Sequence, residues 1–163
     1  MEEHAATHSG MWSGVKQPLP LLLQMFETLS DAKEDFWFPA AQYFSRCTFV
    51  SGTIIYYQGE SASAFYLLEE GVLRAEYELA QGNYSELIIA GQPCGELPFF
   101  SQTDRTASMT AEKNCIAWQL TEAKWADLQK EQPDIARELL KVCLKLTKER
   151  MDVITAYFFT TSG

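Results

Sequence analysis

Histidine is nearly absent from this chain: of 163 residues only His4 and His8, both within the first ten positions, carry an imidazole. A histidine-based metal centre or a histidine general base in a folded core is therefore excluded. Basic residues are also sparse, 13 Lys and Arg against 22 Asp and Glu, giving a formal charge of −9. Nucleic-acid affinity comes largely from Lys and Arg on phosphates, so this balance argues against nucleic acid as a partner. The four cysteines, Cys47, Cys94, Cys115 and Cys143, form no C-x-x-C pair. Their wide spacing fits buried thiols in a reducing compartment better than a disulfide framework or a cysteine-only zinc site. No apolar run approaches the roughly 18 residues of a membrane span, since residues 19–26 are broken by Pro20 and Gln24 and follow an acidic start. Nor is a secretory signal evident. The expectation is a cytoplasmic fragment without direct membrane insertion, with no metal, no catalytic residues and no enzyme activity, because no paired nucleophile and base can be named.

At 47% hydrophobic, the chain is long enough to bury one core unaided and too short for two ordinary domains. Residues 1–17 are small and polar and read as a flexible segment, leaving 18–160 as a single domain. Within it, 18–45 reads as N-terminal helices: Leu21, Leu22, Met25, Phe26 and Leu29 recur at helical spacing, and Pro39 splits the following piece at 34–44 into two short turns. The period then changes. Short β-rich runs at 53–57, 64–68, 72–79, 87–90, 107–111 and 115–119 are separated by Ser51-Gly52, Gly59, Gly71, Gly82-Asn83, Gly91 and Lys113-Asn114. So many short strands imply a barrel or jelly roll over 46–120. From 121 to 160 the pattern is helical again, with Thr121 as N-cap of 122–131 and Pro133 opening a longer helix. In that helix Leu139, Leu140, Cys143, Leu144, Met151, Ile154 and Phe158 form a broad apolar band, read as packed on the roll itself. Tyr157, Phe158 and Phe159 are the part best suited to another surface.

The densest chemistry lies in residues 94–111, CGELPFFSQTDRTASMTA. Gly95 permits close backbone approach, Glu96 can accept hydroxyl hydrogens, and Leu97 begins a short helix. Nine residues past Glu96 comes Arg105, followed by Thr106, Ala107 and Ser108. A guanidinium is planar, charged and able to grip two phosphate oxygens at once. Singly, each residue has an ordinary reading: Glu96 as a helix cap, Arg105 paired at the surface with Asp104, Glu96 or Glu112, and Gly95 as a turn. Jointly they read as a small phosphate cradle.

At these residues the chain resembles the cyclic nucleotide-binding domain family, whose phosphate-binding cassette reads approximately FGELALLxxxxRAATVxA. Gly95, Glu96, Leu97, Arg105, Ala107 and Ala111 match it. Upstream, Gln58-Gly59-Glu60 and the run from Phe65 to Gly71 resemble the family's QGE turn and FYIIxxG strand end. The resemblance covers residues 46 to about 150 and implies an eight-stranded antiparallel β-roll, preceded by short helices and followed by two C-terminal helices. It further implies a ligand site at Gly95, Glu96, Leu97, Arg105, Thr106 and Ala107. There Glu96 would receive a ribose 2′-hydroxyl and Arg105 the phosphate of cyclic AMP or cyclic GMP, and the Arg105-Thr106 pair resembles the variant associated with cyclic GMP. Lid residues are implied among Leu146, Arg150 and Ile154.

Two departures bear on affinity. Pro98 stands where the family usually has an alanine that gives its N–H to the phosphate, and proline has none to give; Cys94 replaces an aromatic or aliphatic residue. Two function classes follow: a regulatory sensor of a cyclic nucleotide, or a domain of the same fold that has lost the ligand and acts as an interaction scaffold. The texture of residues 35–44 and 65–77 also resembles the C-terminal cyclic nucleotide-binding-like domain of fungal sulfate-permease-type (SulP) anion transporters. That resemblance implies the cytosolic part of a membrane protein, with the transporter's other domains as partners.

Overall fold

The computed structural model describes residues 21–32 and 35–161; the expected flexible segment 1–17 lies outside them. Helix α1 (Leu21–Leu29) is followed by one six-residue 3-10 helix over Phe38–Tyr43, with Pro39 near its start, where a missing N–H costs nothing. Eight strands then run β1 (Ser45–Phe49), β2 (Ile54–Tyr56), β3 (Ala64–Glu70), β4 (Val72–Leu79), β5 (Gly82–Ile89), β6 (Pro93–Cys94), β7 (Ser108–Ala111) and β8 (Cys115–Thr121). Helix α2 (Glu96–Ser101) sits between β6 and β7, and α3 (Glu122–Glu131) and α4 (Pro133–Thr161) close the chain.

The strands form two four-stranded antiparallel sheets, ordered β1-β8-β3-β6 and β2-β7-β4-β5. The expected β-roll with flanking helices is thus the observed fold. The inner faces of the two sheets meet over Leu68, Leu73, Ala75, Ile88, Met109, Ala111 and Ala117. A second core lies outside the first sheet, where Phe65, Leu67 and Leu120 pack against Phe26, Trp37, Phe99, Leu128, Ile135, Leu139 and Val142. Strand β3 serves both cores, Ala64, Tyr66 and Leu68 turning one way and Phe65 and Leu67 the other. A strand buried on both faces reads as a continuous apolar run, which is what AFYLL shows.

Helix α3 starts as expected: the Thr121 hydroxyl accepts a 3.3 Å hydrogen bond from the Lys124 amide. The apolar band of α4 needs correcting. Ile135, Leu139, Val142, Cys143 and Leu146 face the helical core, while Leu144 and Met151 are 55% and 56% exposed. The inward stripe follows the 4-3-1-3 spacing of one helix face, and Leu144 and Met151 fall off it. The side chains of Tyr157, Phe158 and Phe159 lie outside the described residues.

Candidate functional site

Four segments assemble the site: the turn after β2, the β6–α2 corner, the approach to β7, and the middle of α4. The turn at Gln58-Gly59-Glu60 fixes Arg105 through the backbone. Gly59 donates to the Arg105 carbonyl at 2.8 Å, and the Arg105 amide donates to the Glu60 carbonyl at 2.7 Å. Gln58 ties the same turn across to β4, donating to the Glu78 carbonyl at 3.0 Å and accepting from the Glu78 amide at 2.8 Å.

Arg105 is 5% exposed. Its Nη1 donates to the Gly95 carbonyl at 3.2 Å and its Nη2 to the Ala64 carbonyl at 2.6 Å, while the guanidinium carbon lies 3.9 Å from the centre of the Tyr56 ring. The surface pairing considered for this arginine is not what forms; Glu112 pairs instead with Arg74, at 2.6 Å. Two of the five guanidinium N–H groups are used on carbonyls, and Nε has no partner among the described residues. Gly95 sits at φ 74, and a Cβ there would run into Arg105 Nη1 and lie 2.9 Å from the Tyr56 hydroxyl. Glycine is required at this corner both by the backbone and by the arginine it admits.

Glu96 is 2% exposed and caps nothing, since the α2 N-cap is Gly95 without a side-chain bond. Its Oε1 accepts from the Thr147 hydroxyl at 2.7 Å and from Arg150 Nη2 at 3.1 Å, and Oε2 has no partner among the described residues. Arg150 also donates from Nη1 to the Pro93 carbonyl at 2.9 Å. Burial alone would lower the Arg150 pKa, but the facing carboxylates of Glu96 and Glu86 raise it. Thr147, itself 4% exposed, is a site residue that sequence reading missed. It lies four positions from Cys143 and three from Arg150, on one helix face, and only its contact with Glu96 reveals its place in the site.

Between these groups lies a cavity of about 50 Å³, walled by Tyr56, Tyr77, Glu86, Met109, Pro98 and Arg150 together with the cassette residues. Gly95, Glu96, Leu97, Arg105, Thr106 and Ala107 all line it, with Leu97 and Thr106 exposed and Ala107 buried. Of the three implied lid residues, Arg150 reaches the cavity, Leu146 packs in the helical core, and Ile154 is half-buried without lining the cavity. The enclosed part of this space has room for a few waters, and it opens to solvent past the exposed Leu97 and Thr106. Burial pushes the Cys94 thiol up to about 12, against the hydrogen bond it shares with Tyr56, which lowers it. It also pushes the Tyr56 phenol far up, and Tyr77 follows through burial and its 2.7 Å bond to Glu86. At neutral pH these three walls are uncharged. Among the described residues no group of three or more His, Cys, Asp or Glu is placed to hold a metal. No helix among them is long and apolar enough to cross a membrane.

Solved structures share this architecture. A cyclic nucleotide-binding domain from Methylobacillus flagellatus superposes with a TM-score of 0.78 at 15% identity, over 86% of this chain and 82% of that one. The catabolite activator protein of Thermus thermophilus gives 0.64 at 22% identity, over 80% of this chain and 62% of its own. A putative cyclic nucleotide-binding protein from Geobacter metallireducens gives 0.65 at 16%, over 81% and 97%. At these identities the likeness is one of fold. No curated protein sequence matches the chain. The family is shown by sequence: the cyclic nucleotide-binding domain profile matches residues 46–132, more than half of the 163, and the chain belongs to the cyclic nucleotide-binding domain family.

Proposed function

We propose that this domain is a regulatory, non-catalytic sensor whose cradle takes a cyclic nucleotide monophosphate, with the phosphate on Arg105 and a ribose hydroxyl on Glu96. One observation carries the reading: Arg105 and Glu96 are both buried against the same cavity, and each keeps one polar atom, Nε and Oε2, without a partner. Unpaired buried polar atoms cost about 1–3 kcal/mol each, so a fold that needed neither residue for a ligand would do better with apolar side chains of similar size. The exposed Thr106 adds a hydroxyl at the mouth, beside the position of the phosphate.

A second reading is favoured by one other observation: Pro98 in the cavity wall offers no N–H. On that reading the domain keeps the fold as an interaction scaffold. Titration calorimetry with cyclic AMP and cyclic GMP separates the two. The sensor reading expects saturable heat that is lost in Arg105→Lys, whereas no heat and no thermal shift at millimolar nucleotide would leave the scaffold. At ~100 times the dissociation constant a ligand adds about 2.7 kcal/mol of stability, so melting is a sensitive proxy.

The parent we propose is a SulP-type anion transporter, with this domain on its cytosolic side. The support is the sequence texture of residues 35–44 and 65–77. Co-purification of the domain with the transporter's remaining domains, expressed separately, is the corresponding test.

A further inference from the structure

Resting on the reading of Glu96 and Arg105 as a cyclic nucleotide cradle, the geometry points to α4 as that cradle's internal competitor. We propose that the Thr147 hydroxyl and the Arg150 guanidinium stand on Glu96 where a ligand hydroxyl would have to stand. A ligand held through Glu96 and the docked distal half of α4 would then exclude each other.

Three observations lead here. The first is occupancy. Glu96 Oε1 already accepts two hydrogen bonds from α4, at 2.7 and 3.1 Å, and the carboxylate is sealed from solvent with Oε2 unpaired. Glu96 is 2% exposed, so a ligand hydroxyl reaches its carboxylate only if a neighbouring group moves, and Arg150 is the neighbour that also walls the cavity. The second is space. The cavity of about 50 Å³ has Arg150 as part of its wall, tied to the roll at Pro93 and at Glu96. Withdrawing that side chain opens room beside both Glu96 and Arg105.

The third observation concerns how α4 is held. Its proximal part is anchored by apolar burial, with Ile135, Ala136, Leu139, Val142, Cys143 and Leu146 all in the helical core. Past Leu146 the attachment changes character. Lys148, Glu149, Met151, Asp152 and Val153 are exposed, and Thr147 and Arg150 join this part of α4 to the roll through polar bonds. A helix segment held by a few polar bonds opens at a small fraction of the global unfolding free energy. The sign of the coupling follows: a cyclic nucleotide would release the distal half of α4 rather than draw it down as a lid, and its apparent affinity would be reduced by the fraction of molecules in which α4 is docked.

The test is titration of cyclic AMP and cyclic GMP into the wild-type chain, Thr147→Val and Arg150→Met, each checked for folding by its melting curve. Thr147→Val removes one hydroxyl at nearly constant volume, so it keeps the experiment valid should Arg150→Met fail to fold. Competition predicts that each folded variant binds tighter than wild type, by about tenfold for a lost hydrogen bond to a charged group. Binding that is unchanged or weaker in both variants overturns the competition while leaving the cradle intact. Absence of binding in wild type and both variants overturns the cradle reading itself, and the competition with it.

Discussion

Thr147 and Glu96 are 51 positions apart in the chain and joined by a buried 2.7 Å hydrogen bond. This contact couples the middle of the last helix to the acidic residue of the cassette. Arg150, one helical turn further on, reinforces it. Arg105 is held quite differently, by two backbone carbonyls and an aromatic ring. Arg105 is therefore held by the roll, and the Glu96 side chain by α4.

Arg105→Ala will destabilise the fold as well as remove the proposed phosphate anchor. An exposed arginine would be cheap to lose, but this one is buried, and its removal leaves the Gly95 and Ala64 carbonyls without their donor. A loss of about 2–4 kcal/mol is expected from the two charge-assisted hydrogen bonds and the stacked ring. The melting temperature should fall by roughly 2–4 °C per kcal/mol. An unchanged melting curve would show that the arginine is held only incidentally.

Gly95→Ala should be costly out of proportion to one methyl group. It combines a left-handed backbone with a collision against Arg105 Nη1 and close approach to Tyr56, for which about 1–3 kcal/mol is expected. A urea midpoint indistinguishable from wild type would contradict the packing described at this corner.

Pro98→Ala restores a backbone N–H in the cavity wall. Where the phosphate reaches this position, cyclic nucleotide affinity should rise by about tenfold or more, the worth of one hydrogen bond to a charged group. Equal affinity for the two proteins would place the phosphate elsewhere.

Thiol chemistry gives an independent check on burial. Cys94, Cys115 and Cys143 are buried and Cys47 is half-buried, so a thiol reagent at pH 8 should modify Cys47 first and the other three only on unfolding. The sign with pH is also defined. Burial raises the folded-state pKa of Cys94 to about 12, so its contribution to stability is complete below the ordinary thiol range and is lost as pH rises towards 12. Tyr43, raised to about 12 chiefly by its bond to Glu131, weakens in the same direction, from about pH 10 upward. Melting temperature should therefore decline on the alkaline side, and the decline should be smaller in Tyr43→Phe.

Strand β4 and helix α3 were legible at the bounds they adopt, because an alternating run between glycines and a capped amphipathic segment each carry a local signal. Strand β1, with sequence SRCTF, was not, since it is mostly polar and gains its place only by pairing along β8. Strand β5 was read from its apolar end alone. Gly82-Asn83 looked like the hairpin turn, whereas the turn is Ala80-Gln81 and Gly82 already pairs with Leu79. Within the site, Gly95, Glu96 and Arg105 stood out because they are close in sequence. Thr147 did not, because a threonine on an apolar helix face signals nothing until the residue 51 positions earlier is seen beside it.

Amide hydrogen exchange along α4, with and without excess cyclic GMP, tests the central claim most directly. The account predicts that nucleotide speeds exchange from Thr147 onward while the segment from Ile135 to Leu146 stays protected. Slower exchange in the distal half on adding nucleotide, or no change anywhere in the helix, would contradict it.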